Sequence, residues 1–350
     1  MALWHSGTMV AGGVERLGTT PLKQWPLFEA YPALAPWLAP MALCTLPTPV
    51  EALPGIAAGA WVKRDDLTHP TYGGNKMRKL EFVGAEVTRR AATRVITFGA
   101  TGTNAGVAAA MITRQLGVRC DVLTFDQPSS STVQHNAALM VSHGAHVRRI
   151  GALFWTVLAW YAHPRRLDPH SYFLFAGCSN PVAVFAYVNA AFELRAQIEA
   201  GACAAPKEIV VATGSVATLA GLTLGCALAG IDTTVVGIRV APGYVAGVAA
   251  CTVGVAAKMM AGCLETLVKH GGAAGARARN VVVPAPVILD DWYGPGYGAT
   301  NRATDDAVAA AAAAGLKLEQ TYTGKAFAAF LSRLPRVGGD ALFWNTFNSR

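Results

Sequence analysis

The sequence predicts an α/β protein with parallel-type sheets, divided between two domains. Three features carry that prediction. Strand-like and helix-like segments alternate from Glu81 onward, which implies parallel sheets covered by helices on both faces. Two glycine-bearing segments, residues 97–106 and 211–218, each close a strand and open a helix. The 350 residues are 53% hydrophobic and only 14% charged, a globular composition long enough for two domains.

In chain order, residues 1–20 show no clear period and are expected to be disordered. Residues 21–50, rich in Pro, Trp and Ala, are expected to wrap a domain as turns and a short helix. Trp61 and Val62 open a strand, followed by four consecutive charges, Lys63-Arg64-Asp65-Asp66. Pro70 and the turn pair Gly73-Gly74 then precede a helix over 76–91, with Asn75 as its cap. Strands are expected at 94–98, 119–125, 145–150, 171–175, 208–212, 233–238, 281–283 and 341–344. Helices are expected at 104–116, 131–142, 152–161, 181–200, 218–229 and 302–314, with another from Thr323. Residues 243–270 read as an Ala/Gly-rich helical region. No internal repeat is visible.

Composition excludes several classes. The seven cysteines are scattered, odd in number and without a C-x-x-C pair, which argues against a disulfide framework or structural zinc and for a reducing, cytoplasmic setting. A net charge of +8 is compatible with an anionic small ligand. The arginine pairs lie far apart and lack interleaved aromatics, so no nucleic-acid partner is expected. Residues 1–20 lack the basic-then-apolar layout of a secretory leader. The uncharged stretch 30–50 carries five prolines, and 210–231 begins as a strand and loop, so neither reads as a membrane span.

The chemistry concentrates on a few segments. Lys76 falls in the first turn of its helix, where the positive end of the dipole favours the nucleophilic free base. Gly73 and Gly74 would let a planar ligand approach the backbone. A surface lysine on a basic helix with Arg78 and Lys79 would give the same residues. Residues 97–106 (TFGATGTNAG) admit a dinucleotide-binding turn with Asp121 or Asp126 on a ribose, hence a nicotinamide-dependent reductase, although the glycine spacing is one residue off the commoner form. An ordinary N-cap at Thr103-Asn104 needs the same residues. In residues 211–218 (VATGSVAT), backbone N–H groups with Ser and Thr hydroxyls make a phosphate cradle.

Lys63-Arg64-Asp65-Asp66-Leu67, followed by Gly73-Gly74-Asn75-Lys76 and Arg78-Lys79-Leu80-Glu81, resembles the signature of the 1-aminocyclopropane-1-carboxylate deaminase and D-cysteine desulfhydrase family. These are pyridoxal-phosphate enzymes of the tryptophan-synthase-β fold type. The resemblance implies a homodimeric lyase or deaminase acting on a small amino-acid substrate. It implies a small domain at 76–177, inserted in a large one built from 1–75 and 178–350, with the cofactor in the cleft between them. Lys76 would be the Schiff-base residue and the general base. Thr103-Asn104 would stand for the family's Ser-Asn, with Asn104 on the ring hydroxyl oxygen. Gly214, Ser215, Val216, Ala217 and Thr218 would bind the phosphate. The family has glycine where Val216 and Ala217 stand, so their β-carbons are expected to crowd the phosphate and weaken binding. Tyr297 and Tyr322 would flank the substrate in proton transfer. Thr323 would sit beside the pyridine nitrogen, where the deaminase branch has glutamate, and a neutral hydroxyl there suits elimination. Other departures are Cys178 in Gly177-Cys178-Ser179-Asn180, Asn345-Thr346-Phe347-Asn348 at the last strand, and no acidic residue just after Tyr297. A non-catalytic member that keeps the fold is the alternative these departures admit.

Overall fold

A computed structural model describes residues 24–245 and 247–348, so the expectation of disorder over 1–20 lies outside the described residues. Two short helices, α1 (Leu27–Ala30) and α2 (Ala35–Leu38), lead to strands β1 (Val50–Ala52) and β2 (Ala60–Arg64). Then follow α3 (Asn75–Arg89), β3 (Arg94–Ala100), α4 (Asn104–Gln115), β4 (Arg119–Phe125), α5 (Ser131–Ser142), β5 (His146–Gly151), α6 (Leu153–Tyr161) and β6 (Ser171–Phe173). The chain continues with α7 (Pro181–Glu199), β7 (Glu208–Thr213), α8 (Ala217–Ala229), β8 (Thr234–Arg239), and a ribbon of β9 (Tyr244–Val245) and β10 (Val248–Ala249). It ends with α9 (Val253–His270), α10 (Gly272–Ala278), β11 (Val287–Leu289), α11 (Arg302–Ala313), α12 (Thr323–Val337) and β12 (Ala341–Asn345).

These strands form two main sheets. One has the order β5-β4-β3-β6 and is parallel throughout. The other has the order β1-β2-β12-β7-β8-β11, parallel except where β1 meets β2. Every residue of β7 and β12 is buried, as strands covered on both faces require. The period of two sorts their side chains: Leu342 and Trp344 join the core under α7 and α8, while Ala341 and Phe343 join the core under α12. In the smaller sheet Val95 and Val122 face α3 and α4, whereas Ile96 and Leu123 face Trp160 of α6.

Two segments differ from expectation. The β-branched run at 281–283 is not a strand, and Val282 is 90% exposed. The strand forms at β11 instead, where Val287–Leu289 pair with β8 from Val236 to Ile238. The helical region at 243–270 begins only at Val253, where Thr252 Oγ1 caps it by accepting from Val255 N–H. Pro242, Gly243 and Gly247 break the preceding stretch into the β9–β10 ribbon. Among the described residues no helix is long and apolar enough to cross a membrane; residues 210–231 divide into β7 and the 13-residue α8.

Candidate active site

The four-charge run after β2 builds a buried scaffold for α3. Asp65 accepts from Arg78 Nη2 at 2.7 Å, Tyr187 Oη at 2.7 Å and Trp344 Nε1 at 2.7 Å. Glu193 of α7 accepts from Lys63 Nζ at 2.5 Å and Arg78 Nη1 at 2.8 Å. Two cations and two carboxylates thus neutralise one another away from water, with Thr48 and Gln197 completing the bonding. The neighbouring pair, Arg64 and Asp66, is joined at 2.7 Å.

This scaffold delivers the start of α3 to the end of β12. Asn75 is the first helical residue and not the cap; that position is Gly74, at φ +91°. A β-carbon at Gly73 would lie 1.9 Å from the Asp66 carbonyl oxygen, and one at Gly74 would lie 2.8 Å from that of Thr346. The two glycines therefore admit the protein's own backbone, where a planar ligand was the expected reason. Lys76 follows in the first turn, half-buried, with Nζ donating to Asn75 Oδ1 at 2.6 Å. Burial lowers its pKa, opposed by Cys178 and Glu319. The direction matches the sequence expectation, but desolvation is the cause.

Asn75 links this amine to the second turn, its Nδ2 donating to Thr218 Oγ1 at 3.1 Å. Val216 caps α8 with φ +52° and ψ −14°, a left-handed conformation that costs a β-branched residue strain of about 1–3 kcal/mol. The backbone is thus the one that glycine favours. The Val216 and Ala217 side chains belong to the buried core, so the crowding expected of them falls there. Ser215 Oγ accepts from Ser179 Oγ at 2.7 Å, bringing the end of the smaller sheet to this loop.

Thr103 caps α4, its Oγ1 accepting from Gly106 N–H at 3.3 Å. Asn104 Oδ1 accepts from Tyr72 Oη at 3.1 Å and Asn136 Nδ2 at 2.6 Å. Its Nδ2 makes no hydrogen bond to the described residues. Asp121 and Asp126, the ribose partners of the dinucleotide reading, are held by Arg94 at 2.5 Å and Arg149 at 2.6 Å.

Across the cleft the hydroxyls of Tyr297 and Tyr322 are hydrogen-bonded to each other. Burial raises both pKa values, Tyr297 to about 12. Glu319, which the sequence reading missed, contributes a negative charge that raises the pKa of both phenols and opposes the lowering at Lys76. Its carboxylate accepts from the backbone N–H groups of Thr321, Tyr322 and Thr323 at the start of α12. Thr323 Oγ1 donates to Glu319 Oε1 at 3.1 Å, so its hydroxyl is already engaged. One cleft is lined by Asn104 and Asn136 from one sheet's helices and by Glu319, Tyr322 and Phe347 from the other side. On either side of Phe347 in the chain, Asn345 Nδ2 and Asn348 Oδ1 are buried without a hydrogen-bond partner among the described residues, next to the carbonyl of Thr346 that Asn75 N–H meets at 3.4 Å.

A left-handed turn at a helix start, a half-buried amine tied to it through Asn75, and an Asn104 amide with no partner among the described residues suit a polar ligand with an electrophilic carbon. Residues 42–346 match the family model described as pyridoxal-phosphate dependent enzyme. The chain belongs to this family. It is 30% identical over 308 residues to a D-cysteine desulfhydrase of Klebsiella pneumoniae, covering 83% of this chain and 87% of that one. Among solved structures, an ACC deaminase homologue aligns with a TM-score of 0.73 and 26% identity, over 91% of this chain and 94% of the other. The processed form of threonine deaminase isoform 2 from Solanum lycopersicum aligns with a TM-score of 0.61 over 92% and 90%; at 12% identity it speaks for the fold alone. The fold is thus that of the fold type II pyridoxal-phosphate enzymes, and the chain's place is with the 1-aminocyclopropane-1-carboxylate deaminase and D-cysteine desulfhydrase relatives.

The residues present fit pyridoxal phosphate: Lys76 offers an amine, Asn104 a free donor, and the 213–218 turn a helix N-terminus in glycine-type geometry. Because that turn is already formed, changing Val216 and Ala217 together to glycine is expected to leave cofactor affinity within about threefold of the parent. Titration of apo-protein, followed by cofactor absorbance, measures this; tenfold tighter binding would show that the β-carbons do obstruct the phosphate.

Proposed function

We propose that this enzyme deaminates, or eliminates a β-substituent from, a small amino acid in the manner of its D-cysteine desulfhydrase and ACC deaminase relatives. The observation that carries the reading is the half-buried Lys76 amine in the first turn of α3, tied through Asn75 to Thr218 of the second strand-to-helix turn. Pyridoxal phosphate, when bound, supplies the electron sink that lets a bond at Cα break. Lys76, its charged form disfavoured by burial, holds the cofactor and takes the proton from Cα. Asn104 Nδ2 would donate to the ring hydroxyl oxygen, on a turn that Thr103 caps. Gly214, Ser215, Val216, Ala217 and Thr218 surround the phosphate. Thr323, its hydroxyl held by Glu319, would be the residue beside the ring nitrogen. With phenol pKa values raised, Tyr322 and Tyr297 remain protonated at neutral pH and serve as donors to the leaving group or to a carbanion carbon.

The proposal includes a small domain over 76–177, supported by the four-stranded sheet β3–β6 lying wholly within it. A cytoplasmic homodimer is part of the same reading. The purified protein is expected to absorb at roughly 410–430 nm and to release ammonia, with sulfide if D-cysteine is the substrate. Absence of that band after incubation with pyridoxal phosphate would sink the proposal. Tyr322→Phe is expected to lower turnover by about 10²–10⁴ with the band intact, and unchanged turnover would reduce Tyr322 to packing.

A further inference from the structure

We propose that Lys325 is a positioning residue that holds Tyr297 against Tyr322; the inference rests on the roles given to those tyrosines above. Lys325 lies on α12, three residues after Tyr322, and its side chain is fully buried. Among the described residues it has no carboxylate within ion-pair distance. Its ammonium instead donates to two main-chain carbonyls of one loop, Tyr293 at 2.6 Å and Gly296 at 3.4 Å, with the Tyr293 ring 5.3 Å away.

A buried cation with no carboxylate in ion-pair contact and only the more distant Glu319 to oppose its desolvation is a costly way to fill space, and methionine would pack there without that penalty. What the charge secures is the path of residues 293–296, which contain no helix or strand and end immediately before Tyr297. The Tyr297 ring is a further anchor, set against Phe125 at the end of β4 with centroids 6.0 Å apart. One helix therefore places both phenols: Tyr322 directly, and Tyr297 through the Lys325–carbonyl bonds. Without Lys325 the loop keeps its Phe125 contact and the Tyr297–Tyr322 hydrogen bond but loses the tie of residues 293–296 to α12, so the two hydroxyls are held together less firmly.

The test uses holoenzyme carrying Lys325→Met, alone and combined with Tyr297→Phe. Lys325→Met should raise amide deuterium uptake over 293–298 by about 10-fold or more without changing α12. It should lower kcat by about 10-fold with KM little altered, and add less than about twofold once Tyr297 is phenylalanine. Unchanged exchange over 293–298, or a full kcat effect persisting in the Tyr297→Phe background, would overturn the inference. If Lys325→Met does not fold, Lys325→Gln, which retains a donor, is read by the same two criteria and should show a smaller effect in both. Should the parent turn over no amino acid, the proposed function fails, yet the exchange result still decides the role of Lys325.

Discussion

Replacing Lys76 by alanine is expected to abolish turnover, by at least about 10³-fold, while leaving the fold unchanged. The large effect is expected because, in the proposed function, one amine serves both as attachment point and as base. The reason for the small structural effect is that Lys76 is half-buried and its single hydrogen bond is to the adjacent Asn75. Asn75 would still tie α3 to Thr218. Lys79, three residues on along α3, is a rival amine, buried and lowered to about 7 by desolvation and by the Lys76 charge. Its Nζ is turned to the Gly177 carbonyl at 3.3 Å. Borohydride reduction followed by peptide mapping separates the two: the label is expected on Lys76, and a Lys76→Ala protein that still takes the label would assign attachment to Lys79.

Glu193→Gln is expected to cost about 3–5 kcal/mol of stability, because it leaves Lys63 and Arg78 facing one carboxylate in a buried site. Glu193 lies nearly out of water, a position that by itself raises a carboxyl pKa, yet Arg78 and Lys63 hold it at about 2. A carboxylate whose folded pKa is depressed contributes stability above its unfolded value of 4.5, and loses it as pH falls towards the folded value. Urea midpoints of the parent should therefore drop between about pH 4.5 and pH 2. The variant should start lower and drop less over that interval. Equal midpoints for the two proteins at pH 7 would show that the ion cluster is energetically idle.

The local pattern was sufficient for most of the secondary structure. The strand at Arg119–Phe125 and the helix at Ser131–Ser142 have the limits that periodicity predicts. Alternation of period two with period 3.6 is written in neighbouring residues, and it needs no partner to be read. Where pairing competes with propensity, the pattern failed. The valine run at 281–283 has the stronger strand character, yet β8 pairs with 287–289. The glycine-led turns at 97–106 and 211–218, and the amine at Lys76, were likewise visible as strand-to-helix junctions.

The partners of those groups were not visible. Glu319 stands in an unremarkable stretch and gains importance only because α12 begins beneath it. Tyr72 and Asn136 acquire a purpose through Asn104, 32 residues from each. The left-handed Val216 contradicts its own residue type, since the core that takes its side chain overrides the backbone preference. Sequence alone thus placed most of the elements and put Lys76 in the first turn of its helix, because helix, strand and turn preferences act over a few residues. Only the folded chain decided which charges neutralise one another, what Gly73 and Gly74 are for, and which tyrosines meet. Those outcomes depend on contacts such as Trp344 with Asp65, 279 residues apart, and Arg78 with Glu193, 115 apart, that form when the sheets close on their helices.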